Sequence, residues 1–167
     1  LGRACAESLA REGVDVTIMA RNADVLEATA QEIADTTGRR ITPVAGDFNS
    51  TDDRARLFDA CPTPDILVNN PGVRPTPNPY DEIDRDIWLQ WLNDHFLSSI
   101  TMIQSVAPGM CERKFGRIVN MSVSFIKFPQ SGFAHSHAAR LALSGAVAAM
   151  VRDLIAHNVT INTVCPG

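Results

Sequence analysis

Residues 65–72 read "DILVNNPG": Asp65, Ile66, Leu67, Val68, Asn69, Asn70, Pro71, Gly72. How this stretch is read decides the fold. Residues 66–68 are a short apolar run, the pattern of a strand buried on both faces rather than one with a wet face. The run stops at two asparagines, followed by the turn punctuation Pro-Gly. Gly72 permits either a positive φ or close approach of the backbone to another group. In open parallel sheets, ligands bind just beyond the carboxyl ends of strands. The stretch therefore predicts a buried parallel strand with a functional edge.

Working outward, the same pattern recurs. Residues 14–20 ("VDVTIMA"), 40–46 ("RITPVAG"), 116–122 ("GRIVNMS") and 159–165 ("VTINTVC") also read as short strands. Between them lie helical patterns. Residues 1–13 end at Gly13. Residues 22–38 open on Asn22 as N-cap, repeat Val25, Leu26, Ala30 and Ile33, and end at Gly38. Residues 50–61 form a capped helix, 84–113 a long helix with a bend placed at Pro108, and 132–158 a last helix. Residues 71–79 hold four prolines and are read as loop. Strands separated by helices require right-handed crossovers. The predicted fold is α/β, a Rossmann-type doubly wound parallel sheet with helices on both faces.

The 167 residues suit a single domain. The net charge of −4, with no basic block, argues against a nucleic-acid or anionic-membrane partner. Residues 138–151 are apolar but too short to span a bilayer, and they carry Arg140. Cys5, Cys61, Cys111 and Cys165 form no CxxC pair and are expected to be reduced, mostly buried thiols. A cytoplasmic protein is expected, without a metal.

The residues after each strand carry the chemistry. In a dinucleotide fold, the second strand ends at the adenosine ribose, where an acid pairs with NAD and a guanidinium with the 2′-phosphate of NADP. Arg21 stands at that kind of position, with no acid beside it. Asp47, followed by Phe48 in "GDFNS", is placed either to accept from an adenine amino group or to cap the next helix. Asn70, Pro71 and Gly72, and Pro166 with Gly167, form two further strand ends.

These features together make the chain resemble the short-chain dehydrogenase/reductase family. The matching stretches are "LGRACAESLAREG" (Gly2 as the last glycine of a dinucleotide loop), "ARN", "GDFNS", "DILVNNPG", "GRIVNMS" and "VTINTVCPG". The resemblance implies a nicotinamide cofactor, NADP by Arg21 with NAD as the other option, and hydride transfer to or from a small carbonyl or alcohol. It implies cofactor contacts at Gly2, Arg21, Asp47, Phe48, Asn70, Pro71, Gly72, Arg140, Pro166 and Gly167. It also implies a truncated domain, lacking a first strand and a C-terminal segment. Small residues around Arg140 and the family's helical interface imply a homodimer or homotetramer at full length.

The family's proton chemistry uses Tyr, Lys, Ser and Asn, because the alkoxide formed by hydride addition needs a proton and an unshifted phenol is too weak an acid. By position, the Tyr slot falls on Ser136, the Lys slot on Arg140, the Ser slot on Val123 and the Asn slot on His95. None matches, and the chain's one tyrosine, Tyr80, lies in the proline-rich loop. His95, Ser136 and Arg140 are thus the catalytic candidates of a divergent site. Arg140 keeps a fixed charge that can hold ribose hydroxyls but cannot give up a proton. His135 and His137 point about 200° apart on a helix, too far for a shared metal; they are expected to be half-exposed, the alternative being an acid/base role for one of them beside Ser136. The expected function is NADP-dependent oxidoreduction with a divergent active site; the alternative is a non-catalytic dinucleotide-binding or subunit-partner protein.

Overall fold

The computed structural model describes residues 1–72 and 75–166. They fall into two compact units, Leu1–Pro62 and Thr63–Gly167. Both alternate helices with parallel strands, and the fold is α/β and Rossmann-like.

The first unit runs α1 (Gly2–Arg11), β1 (Val16–Ala20), α2 (Ala23–Thr37), β2 (Ile41–Ala45) and α3 (Thr51–Ala60). β1 and β2 pair in parallel, Val16 opposite Ile41 through Ala20 opposite Ala45. Pro43 lacks an N–H to donate, which suits a strand with a partner on one side only. Ala6 and Ala10 of α1 pack on Ile33 of α2, with Val16, Ile18 and Ile41 around them. The alanines let the helix approach closely. Asn22 caps α2 by accepting from the Val25 N–H, and Gly38, at φ 68°, ends it. The left-handed turn costs glycine little, because it has no Cβ to clash.

The second unit carries β3 (Ile66–Asn69), β4 (Gly116–Met121) and β5 (Val159–Val164) in one parallel sheet in that order. Its helices are α4 (Arg85–Leu92), α5 (Ser98–Glu112) and α6 (Ala134–Leu154). Ile103, Met110, Ile118 and Val159 are fully buried at its centre. Gly116 has to be glycine: a Cβ there would lie 2.5 Å from Met110 Sδ and 2.7 Å from its Cβ.

Two helical expectations change. The single long helix over 84–113 is interrupted by a π turn, Asn93–Leu97, between α4 and α5. The irregularity lies there and not at Pro108, which α5 accommodates inside its length. A π turn inserts an extra residue, and such insertions recur at functional sites. The last helix starts at Ala134 because Gly132 takes φ 82°, and it tightens into a 3₁₀ turn, Ile155–His157, before Asn158 turns left-handed. The four thiols are half-buried and free, more exposed than expected. Among the described residues no helix is long and apolar enough to cross a membrane.

Candidate active site

The second unit buries an unusual amount of polarity. Asn69, Asp94, His95, Ser98, Ser99, Asn120, Ser122, His135, Ser136 and Arg140 are all buried. Buried polar groups ordinarily find hydrogen-bond partners, since losing water without replacement costs about 1–3 kcal/mol each. Some here do. Asn69 Nδ2 donates to Asn120 Oδ1 at 3.0 Å and to the Ser99 carbonyl at 3.4 Å, tying β3 to β4 and α5. Asn69 and Asn120 are register partners, so their meeting follows from parallel pairing.

Others do not. Both ring nitrogens of His95 and both of His135 are buried without a hydrogen-bond partner among the described residues. Trp91 packs against both rings, stacked on His95 at 4.7 Å and edge-on to His135 at 4.6 Å. Burial, then the Arg140 charge, then His135 push the His95 pKa down to about 3. Burial alone lowers that of His135. Both imidazoles are therefore neutral at pH 7.

Arg140 is 6% exposed, and its Nε donates to Ser136 Oγ at 3.3 Å. The two lie one helical turn apart on α6, which aligns them on one face. Asp94 has contacts of its own, one of them from Asn93 Nδ2 at 3.4 Å. Burial lowers the Arg140 pKa as well.

The three catalytic candidates are thus brought together: His95, Ser136 and Arg140 are all buried, and the Arg140 charge is felt at His95. Val123 sits half-buried and extended, just before the 3₁₀ turn Ser124–Ile126. Tyr80 is 82% exposed. The expectation of half-exposed histidines is corrected for His135, which is 0% exposed because the first turn of α6 packs on Trp91; His137 is half-buried. Sequence reasoning missed Trp91, Asp94, Ser99 and Asn120. One signal was available: Trp91 precedes His95 by one turn.

The expected cofactor residues divide between the units. In the first, Gly2 opens α1, whose N-terminus has no side-chain cap. Arg21 is exposed just beyond β1. Asp47 does not cap α3; Ser50 does, accepting from the Asp53 N–H. Instead the Asp47 carboxylate accepts from the Asn49 N–H at 2.9 Å, while Asp53 Oδ2 accepts from the Asp47 N–H at 2.7 Å. The latter bond heads the causes that lower the Asp53 pKa. Arg54 Nη1 donates to the Phe48 carbonyl at 2.8 Å, so the whole loop is braced. In the second unit, Asn70 is exposed and Pro71 half-buried, and Gly72 has open space where a Cβ would stand and no positive φ. The Pro166 carbonyl accepts from the Ser124 N–H at 3.1 Å. Gly167 lies outside the described residues. Among those described, no group of three or more His, Cys, Asp or Glu side chains is arranged to hold a metal.

Comparison with known proteins bears on what this arrangement does. The model of the short chain dehydrogenase family matches residues 1–167. The uncharacterized oxidoreductase YvaG of Bacillus subtilis (strain 168) is 31% identical over 171 residues, covering 100% of this chain and 63% of that protein. The inactive hydroxysteroid dehydrogenase-like protein 1 of Homo sapiens is 34% identical over 126 residues, 73% of this chain and 38% of that protein. A crystal structure of a metagenomic short-chain oxidoreductase in complex with NADP aligns with a TM-score of 0.89 at 27% identity, over 99% of this chain and 76% of that one. The chain spans 38% to 63% of the length of the two curated relatives.

Proposed function

As the chain belongs to the short-chain dehydrogenase family, we propose that it is part of an NADP-preferring oxidoreductase whose reacting centre is rebuilt around Arg140 and Ser136. Its substrate is a small carbonyl compound or alcohol. The protein works as a cytoplasmic homodimer or homotetramer.

The donor set suits a nicotinamide dinucleotide. The uncapped α1 N-terminus at Gly2 offers free N–H groups to a phosphate. Arg21 has no acid partner among the described residues, leaving its guanidinium open to a 2′-phosphate. Asp47, with Phe48 beside it, offers a braced carboxylate to an adenine amino group. The resemblance to the family adds Asn70, Pro71, Gly72, Arg140, Pro166 and Gly167 as candidates by sequence position. When bound, the dinucleotide supplies or accepts a hydride.

This chain's own residues handle the substrate oxygen. The Ser136 hydroxyl and the Arg140 guanidinium hold it, and the fixed charge of Arg140 stabilises negative charge developing there. Neither His95 nor His135 carries a spare proton at pH 7. The cluster therefore works by charge, and the proton reaches the oxygen from solvent. The observation that carries this reading is the buried Arg140–Ser136 contact.

The test uses the full-length protein. NADPH should bind more tightly than NADH, and Arg21→Ala should abolish the difference. NADPH consumption with a panel of aldehydes and ketones should fall in Ser136→Ala and Arg140→Gln. Equal affinity for both dinucleotides sinks the role given to Arg21. A second reading, a binding protein without turnover, rests on the neutrality of His95 and the exposure of Tyr80. The inactive relative at 34% identity supports it. Dinucleotide binding with no carbonyl consumed would establish it.

A further inference from the structure

The proline-rich stretch before α4 helps to build a groove. Residues 77–81 and 129–132 line it, together with Ala134 and His137 of α6, and its volume is about 750 Å³. Small-molecule sites span about 300–1,000 Å³. The Asn78 N–H donates to the Gly132 carbonyl at 2.9 Å, and a Cβ at Gly132 would lie 3.0 Å from Pro77 Cβ, so the two loop segments are held against each other. Proline has a fixed φ and no N–H. Pro77, Pro79 and Pro129 therefore give the groove stiff apolar walls with few donors. Tyr80 lines the same groove and is 82% exposed. An aromatic side chain left in water beside such walls offers a face or an edge to a second ring. Among the described residues no Lys or Arg lines the groove, and Asp81 is its one carboxylate, so its charge does not draw an anion. Ala134 and His137 belong to the first turn of the helix that carries Ser136 and Arg140.

We infer that this groove binds an uncharged ring, aromatic or alicyclic, and that the ring is the body of the substrate whose carbonyl or hydroxyl group reacts. The stiff walls lose little freedom when a ring enters, which favours binding. Tyr80 stacks on the ring or meets its edge. Tyr80 and Ala134 thus set which substrate is taken and do not touch the reacting atoms. The inference rests on the oxidoreductase reading for the ligand's identity as substrate, but ring binding is tested without turnover.

The probe is acetophenone, a ring ketone, against methyl hexyl ketone, an open-chain ketone with as many carbons, and against the anion para-acetylbenzoate. Each is titrated into the full-length protein with and without NADP⁺, and binding is followed by ligand-observed NMR. Acetophenone should bind saturably and more tightly than either of the others. Tyr80→Ala should weaken it roughly twofold to tenfold, as loss of one aromatic contact does. Ala134→Phe, which places a ring of the protein's own in the groove, should abolish it. If Ala134→Phe does not fold, Tyr80→Ala decides, since the removed ring lies mostly in water. No saturable acetophenone binding, equal binding of the two ketones, tighter binding of the anion, or undiminished acetophenone binding in either folded variant each overturns the inference. Ring binding lost in these variants, with no ketone consumed by the wild type and NADPH, keeps the ring site and removes the oxidoreductase reading. Consumption of open-chain ketones without preferred ring binding does the reverse.

Discussion

His95 should make the protein acid-sensitive in a range where few other groups act. Its pKa is pushed from an ordinary 6.5 to about 3, first by burial, then by the Arg140 charge, then by His135. The unfolded chain accepts a proton below pH 6.5 that the native state refuses until near pH 3. The stabilising contribution is therefore complete above pH 6.5 and is lost as pH falls toward 3. Linkage puts the loss from His95 between pH 7 and pH 5 at about 2 kcal/mol, with a limiting slope near 1.4 kcal/mol per pH unit. His135 is shifted in the same direction and adds to the slope. Asp53 is held below its ordinary 3.8 and so acts at lower pH. Urea unfolding at pH 5, 6 and 7 measures the slope directly. His95→Gln should remove most of the His95 share whatever it does to absolute stability, because only the difference across pH is compared. An unchanged slope in His95→Gln would refute the reasoning: the ring would then be hydrated and titrating normally in the native state.

Arg140→Met should raise stability at pH 7 by roughly 1–3 kcal/mol, since it removes a charge taken almost wholly out of water. Urea midpoints of the wild type and the variant check it, and a loss of stability would show the guanidinium to be paired. Gly46→Ala should destabilise by roughly 1–3 kcal/mol through overpacking, because the new Cβ would stand 2.8 Å from Asp53 Cβ. Displacing Asp53 also frees the Asp47 N–H, so dinucleotide affinity should drop with it, as equilibrium titration would show.

The fold was legible in the sequence because its strands are short, apolar and separated by helices, three of which carry a side-chain N-cap, at Asn22, Ser50 and Asp84. Asn22, Ser50 and Gly38 do what their types predict. The site was legible only by position. The slots for a Tyr, a Lys and an Asn led to Ser136, Arg140 and His95, and these do share one buried cluster. Nothing local announced that His135 would be sealed under Trp91, because that burial depends on how α4 and α6 meet. Nor did periodicity reveal the π turn that presents Asp94 and His95. A one-residue insertion is invisible when polar and apolar residues are mixed along the helix. Asp47 was ambiguous between binding and capping, and its loop shows why: Ser50 already fills the cap, leaving Asp47 to brace the turn.

The energetics of the second unit argue that its polar interior serves binding rather than folding. Four imidazole nitrogens, Asn69 Oδ1, Asn120 Nδ2 and Ser99 Oγ are buried without a partner among the described residues. Each such atom costs about 1–3 kcal/mol, and a domain's whole stability is only about 5–15 kcal/mol. Apolar residues at these positions would make a more stable core. Groups of this kind persist where they meet a ligand, and they concentrate where catalysis or recognition needs them. His95, Ser136 and Arg140 occupy the slots of a proton-handling set, yet here the histidines are held neutral and the arginine is permanently charged. A cluster so arranged can recognise and stabilise an anion well and deliver a proton poorly. The oxidoreductase and binding-protein readings therefore differ at one step only, the arrival of that proton. Ser136→Tyr, with Arg140→Lys and Val123→Ser, changes that step.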